Sequence, residues 1–198
     1  MPATEKPASE PAARKRGRPT ESERLQRRDD ILDAAVRLLL DDGFAGVTFD
    51  DIREDARVTK RTIYGHFATR TEVFLAAVER LRERTLSPLD ERGSIHDLAT
   101  AIVATLHSDE AIGLHRLMIT SSRDFPELSA RFYVDGPERY IAALRARLAP
   151  HDVTHAEALF TLLLGEPHRR RLLGLAAAPS AEEARTHASR ALELLSLG

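Results

Sequence analysis

The feature that most constrains this chain is a pair of short helical segments, separated by about three residues, between Thr48 and Phe67. Phe49, Ile52 and Ala56 fall at i, i+3 and i+7, so the first segment has one apolar face. Thr48 can cap it, and Asp50 and Asp51 suit the positive end of the helix dipole. Thr59 can cap the second segment, which Val58, Ile63 and Phe67 anchor from one side. Two short helices joined this tightly have the architecture of a helix-turn-helix. Lys60, Arg61, Thr62, Tyr64 and His66 are left outward or at the edges. Lysine and arginine donate to guanine edges or to phosphates, and the hydroxyls and the imidazole donate to phosphate oxygens. Duplex DNA is the partner this chemistry suits. The plainer alternatives are Tyr64 as a core side chain and His66 as a cap on a helix-end carbonyl.

A formal net charge of −2 argues weakly against a polyanion as partner, so the distribution of charge decides. Between Arg14 and Arg28, seven basic residues stand against Glu21 and Glu23, a local net of +5. Lys60 and Arg61, with Arg57 and Arg70, form the second basic cluster. Residues 1–21 carry Pro2, Pro7, Pro11 and Pro19 and lack apolar anchors, which predicts an unstructured basic arm. The first eleven residues do not have the apolar stretch of a secretory signal. With no cysteine, the chain has no thiolate metal site, disulfide or cysteine nucleophile. No apolar run approaches the roughly 18 residues that span a bilayer, and the default expectation is a cytoplasmic protein.

The rest of the chain reads as helices, an all-α fold. The first is expected from about Glu21 to Asp42, with Ile31, Ala35 and Leu39 beside Leu32, Val36 and Leu40 on its apolar face and Gly43 as its stop. Thr69, with Glu72 three residues on, predicts a capping box for a fourth helix ended by Pro88. Six further helical segments are expected between Ile95 and Leu197, the last two being Val153 to Leu175 and Ala181 to Leu197.

The stretch Phe44-Ala45-Gly46-Val47-Thr48, then Asp51-Ile52, then Ala56 through Phe67, then Arg70, resembles the N-terminal domain of TetR-type transcriptional regulators. The resemblance covers about residues 22–80. It implies that Thr48 caps the second helix and touches a phosphate and that Thr59 opens the recognition helix. It also implies that Lys60, Arg61 and Thr62 read bases, that Tyr64 and His66 meet the DNA backbone, and that Arg70 stands where a lysine usually binds phosphate. Arg16 and Arg18 resemble the flexible arms that enter an adjacent minor groove. One departure is Arg57, which stands where the family has a glycine; a left-handed turn there would cost arginine roughly 1 kcal/mol.

The same resemblance implies a domain organisation: the arm (1–21), a helix-turn-helix domain (22–67), a connecting helix (68–91), and a helical effector-binding and dimerisation domain (92–198). The last part, with Arg123 to Leu128 and Gly136 to Arg139, is similar to the AefR-like subgroup. A pocket is expected at His115, Met118, Phe132, Tyr140 and Phe160, the alternative for each being an ordinary core side chain. A homodimer interface is expected at Leu159, Phe160, Leu163, Leu172, Ala188, Leu192 and Leu195, the alternative being that these pack only within the chain. His151 and His155 are spaced for a metal on a helix, but Asp152-Val153-Thr154 reads as a helix start, so no metal site is expected. No cofactor is expected beyond a small-molecule effector. The implied function is sequence-specific binding to a pseudo-palindromic operator and repression relieved by that effector. The rivals are an architectural DNA binder and, with no H-E-x-x-H, phosphate loop or G-x-S-x-G to support it, a helical enzyme.

Overall fold

Thr20 opens the first helix with a reciprocal cap. Its hydroxyl accepts from the Glu23 amide (3.2 Å), and the Glu23 carboxylate accepts from the Thr20 amide (2.8 Å). The structure, a computed structural model, describes residues 20–87 and 93–197, so Arg16, Arg18 and Pro88 lie outside the described residues. Helix α1 (Glu21–Gly46) buries Ile31, Leu32, Ala35, Val36 and Leu39 along one stripe. Gly43 interrupts it with a φ of 76°, a conformation that favours glycine, before a last turn. Helices α2 (Phe49–Asp55), α3 (Lys60–Tyr64) and α4 (Arg70–Leu86) follow. Thr69 caps α4 as expected, but the Glu72 carboxylate reaches back to the Ala68 amide (2.8 Å) and not to that of Thr69. The expected capping box is therefore only half formed, because the carboxylate binds one residue further upstream.

The remaining elements are α5 (Ile95–Leu106), α6 (Asp109–Ser121), α7 (Pro126–Asp135), α8 (Pro137–Arg147), a single 3-10 turn (Val153–His155), α9 (Ala156–Leu172) and α10 (Ala181–Leu194). Among the described residues there is no strand. Two apolar cores form. The first joins α1–α4 to Ala111, Leu114, Leu117 and Met118 of α6 and Leu128 of α7. The second joins α5, α8, α9 and α10. Helix α6 seats directly on α1: a Cβ at Gly113 would lie 2.6 Å from Leu40 Cδ2. Polar contacts reinforce the junction. Arg80 of α4 pairs with Asp33 of α1 (2.8 Å) and with Glu110 of α6 (3.4 Å), and Arg84 also pairs with Glu110 (2.6 Å).

The segment expected as one helix from Val153 to Leu175 is broken. Gly165 takes φ 54°, and Pro167 follows it inside α9. Proline has no N–H, so the carbonyl of Leu163, four residues earlier, loses its helical donor. His107, at the end of α5, supplies one: its Nε2 lies 3.0 Å from the Leu163 carbonyl. His187 of α10 does the same for the Leu162 carbonyl (2.9 Å). Both histidines thus act as side-chain caps on a buried helix break.

This packing corrects the expected dimer interface. Leu159, Leu163, Ala188 and Leu192 are at most 2% exposed and lie within the second core, where α9 and α10 close on α5. Phe160 is also buried, and Leu172 and Leu195 are half-buried. The apolar periodicity was real, but within this chain it is satisfied by α5 and α8. What α9, α10 and the segment after α9 leave outside are Leu173, Leu175 and Leu194.

Burial pushes the imidazoles of His107 and His168 down to about 4, with nearby histidines and Arg171 adding to the effect. In the unfolded chain both titrate near 6.5. The folded protein therefore binds fewer protons in that interval, and the stability from neutral burial is complete above pH 6.5 and lost as pH falls toward 4. Chemical denaturation should show a loss of about 2 kcal/mol per histidine between about pH 7 and about pH 5, reduced in His168→Phe.

Candidate nucleic-acid interface and effector cavity

The turn between α2 and α3 is a Schellman motif. Val58 N–H donates to the Arg53 carbonyl (3.1 Å) and Arg57 N–H to that of Glu54 (3.2 Å). The motif puts Arg57 in the left-handed region, φ 52°. The same bonding ends α9, where the corresponding position is Gly174, φ 74°. Arg57 accepts the strain that Gly174 avoids, and the turn keeps its geometry. Asp55, an unexpected acid beside a DNA-facing module, is explained by its partner: it pairs with Arg37 of α1 (2.6 Å) and ties α2 to the first helix.

Thr59 caps α3, accepting from the Thr62 amide (3.1 Å), and the two threonine hydroxyls bond at 2.7 Å. Ile63 is fully buried, which turns Lys60, Arg61 and Tyr64 outward. The Arg61 guanidinium has no ion pair or hydrogen bond among the described residues. Lys60 lies 3.9 Å from Asp50. Tyr64 is 52% exposed, its ring edge-on to Phe49, so it is not a core side chain. Thr48 caps α2 with a reciprocal box. Its hydroxyl donates to the Asp51 carboxylate (2.6 Å), and these bonds hold the Asp51 carboxyl below the usual carboxylate range.

His66 is half-buried beyond α3, and burial, then Arg24, Arg28 and Arg27, push its imidazole down. These arginines come from the start of α1 and add positive potential beside the recognition helix. Counting charges located them, but only the packing of α1 shows which side they serve. Arg28 also lies over the Phe67 ring (5.7 Å).

Arg70 is the clear correction. Its guanidinium donates to the carbonyls of Phe44 (2.9 Å), Ala45 (3.4 Å) and Val47, and lies 5.4 Å from the Phe44 ring centroid. It ties down the carbonyls where α1 ends through Nη1. A sequence motif marks such a position as basic but does not show which oxygens the cation reaches.

The signature of bacterial regulatory proteins of the tetR family matches residues 31–77, and that of the AefR-like transcriptional repressor C-terminal domain matches residues 94–196, more than half of the chain. The chain belongs to the TetR family. It is 27% identical over 144 residues to the HTH-type transcriptional regulator SrpR of Pseudomonas putida, covering 71% of this chain and 67% of that protein. It is 36% identical over 86 residues to the HTH-type transcriptional regulator YdeS of Bacillus subtilis (strain 168), 43% of this chain and 42% of that protein. A TetR-family regulator from Mesorhizobium loti shares the fold at TM-score 0.70 and 22% identity, covering 88% of this chain and 97% of that one. The protein is thus a helix-turn-helix transcriptional regulator of the TetR family.

In this TetR-family chain a small cavity of about 70 Å³ lies between α4, α5, α6, α7, α8 and α9. Four of the five expected pocket residues meet there: His115, Phe132, Tyr140 and Phe160. The fifth does not. Met118, one helical turn beyond His115, is 4% exposed and packs into the first core, so it is structural. The Tyr140 hydroxyl is turned away to Thr85 (3.4 Å), and its ring stacks on that of Phe160. Sequence reading missed His168, which faces His115 across the cavity wall with ring centroids 5.2 Å apart. Its place beside a proline in a broken helix left no periodic signal.

Arg70→Ala should lower stability by about 1–3 kcal/mol through unpaired carbonyls at the end of α1. The salt dependence of DNA binding should keep its slope; a fall of about one in that slope would restore Arg70 as a phosphate contact.

Proposed function

We propose that this regulator is a repressor: a homodimer that sets two α3 helices into successive major grooves of a pseudo-palindromic operator and leaves it when a small molecule fills the C-terminal cavity. The observation that carries the DNA half is α3 itself, five residues held by Ile63 with Lys60, Arg61 and Tyr64 all exposed. Lys60, Arg61 and Thr62 read base edges. Thr48, Thr59, Tyr64 and His66 meet phosphates, and Arg24, Arg27 and Arg28 widen the positive field that the acidic chain otherwise lacks. The arm residues Arg16 and Arg18 reach a neighbouring minor groove. Thr48 is available through rotation of its hydroxyl away from Asp51. The protein acts in the cytoplasm, where the chromosome lies; no described helix is long and apolar enough to cross a membrane.

The effector half is supported by one helix with two neighbours. Helix α6 contributes Leu114 and His115 to the cavity wall and, at Gly113, rests on Leu40 of α1. A ligand that shifts α6 moves the base of the DNA-binding head with it, because Arg80, Arg84, Glu110 and Asp33 couple the same helices. The ligand must favour one spacing of the two heads over the other for any release to follow. The dimer is formed by the outer face of α10 and the segment after α9, using Leu194, Leu173 and Leu175, each more than 60% exposed in the single chain.

Genome-wide capture of bound DNA should yield a pseudo-palindrome; uniform coverage would favour an architectural binder. On that operator, Arg61→Ala should cost about 1–3 kcal/mol and relax preference at one base pair. Equal loss on all sequences would make Arg61 a phosphate contact. Leu194→Glu should turn the dimer into a monomer in sedimentation and abolish tight operator binding without unfolding the chain.

A further inference from the structure

The two apolar cores meet along a seam. The first contains the DNA-binding helices and α6, and the second contains α5, α8, α9 and α10. The small cavity lies on the seam, bordered by Val78, Leu81 and Leu114 of the first core and by Tyr140 and Phe160 of the second. Apolar contact is interrupted there, which leaves directional polar bonds a larger share in fixing the angle between the two cores.

Such bonds gather where α9 ends. Arg116 of α6 is exposed, yet its guanidinium donates from Nε to the Leu172 carbonyl (2.8 Å) and from Nη2 to that of Arg171 (2.6 Å). Arg171 returns the contact. Its buried side chain donates to Asp109 at the start of α6 (2.5 Å), to the His107 carbonyl (2.9 Å) and to the Ala176 carbonyl (2.8 Å). Arg116 is not needed to end α9. The Gly174 amide already donates to the Arg171 carbonyl (3.0 Å), and the Leu173 and Leu175 amides donate to those of Arg169 (3.1 Å) and Arg170 (2.8 Å). Asp109 and Arg116 are two helical turns apart on one face of α6, about 10 Å along its axis. One attachment would act as a pivot; two at that separation restrain rotation as well. Gly113, where α6 rests on Leu40 of α1, lies between them in the sequence.

Leu173 and Leu175 stand exposed beside these carbonyls, on the surface proposed above for the dimer. A continuous set of contacts therefore runs from that surface through Arg171 and Arg116 to α6, and through Gly113 to the head. We propose that Arg116 is a positioning residue for operator recognition. With Asp109 and Arg171 it fixes the angle of each head to the dimer surface, and so the half-site separation that the two α3 helices accept. This rests on the proposed dimer surface and names the residues that set its geometry. One added base pair turns a half-site by about 35° and moves it about 3.4 Å, so heads held at one angle fit one spacing and heads free to swing accept several.

The chain has no cysteine, so Asp41→Cys on the exposed side of α1 places a single spin label on each head. Double electron–electron resonance on the full-length dimer should give one narrow distance distribution, widened about twofold or more by Arg116→Met and by Asp109→Asn. Glu157→Gln, which removes a surface pair with Arg145 (3.0 Å), should leave the width unchanged. Duplexes selected by the parent protein from a random library are then rebuilt with spacers one or two base pairs longer or shorter. The parent should favour one spacing by about tenfold or more, and Arg116→Met should reduce that preference to about threefold or less while binding a lone half-site as tightly. A merely structural role would lower the melting temperature and leave the spacing preference intact, and that result would overturn the assignment. So would an unchanged width in both variants, a parent distribution already as wide as theirs, or a monomer in sedimentation for Arg116→Met, which would place the residue in the interface instead. A parent chain that sediments as a monomer removes the dimer itself, and the assignment with it.

Discussion

The approach of α6 to α1 at Gly113 is the contact on which the rest of the molecule depends. With no side chain at Gly113, Leu40 packs against the α6 backbone, and the apolar stripe of α1 is covered by a helix from the second half of the chain. The DNA-binding head therefore does not close its own core. Ala111, Leu114, Leu117 and Met118 complete it. Burial of a leucine-sized side chain is worth about 1.5–3 kcal/mol, so these contacts are a large part of what keeps the head ordered. They also make α6 a shared wall, with the head on one side and the cavity on the other. A helix in that position ties the head to the cavity wall, since neither of its faces can shift without disturbing the other.

A second constraint is the broken helix α9. Pro167 and Gly165 free backbone carbonyls inside a core, and the fold answers with imidazoles from α5 and α10. That answer draws four histidines into one region. Two are spent on the backbone. The other two, His115 and His168, border the cavity. Arg171 adds to the same region, donating to the His107 carbonyl (2.9 Å) and pairing with Asp109 (2.5 Å), so the end of α9 is fixed to the start of α6.

Much of the DNA-binding half was legible in the sequence because its determinants are local. Thr20, Thr48 and Thr59 cap helices through bonds spanning three residues. Ile52 and Ile63 fix which faces are buried by helical period alone, and Lys60, Arg61 and Tyr64 are consequently outside. Arg70 was misread because its targets, the carbonyls at the end of α1, are 23 to 26 residues away in sequence. The last two helices were misread in a different way. Their apolar stripes at Leu159, Leu163, Ala188 and Leu192 look the same whether the partner is α5 or another copy of the chain.

The sequence by itself determined most of the helices and the threonine caps, the helix-turn-helix and the family, since each rests on spacing within a few turns or on a contiguous motif. Only the tertiary structure decided that α6 completes the core of the head, that Arg70 serves the backbone, that Met118 is core, and that His168 joins His115 at a cavity. Those outcomes depend on which elements meet, and burial and unpaired carbonyls acquire a meaning only once the helices have been brought together.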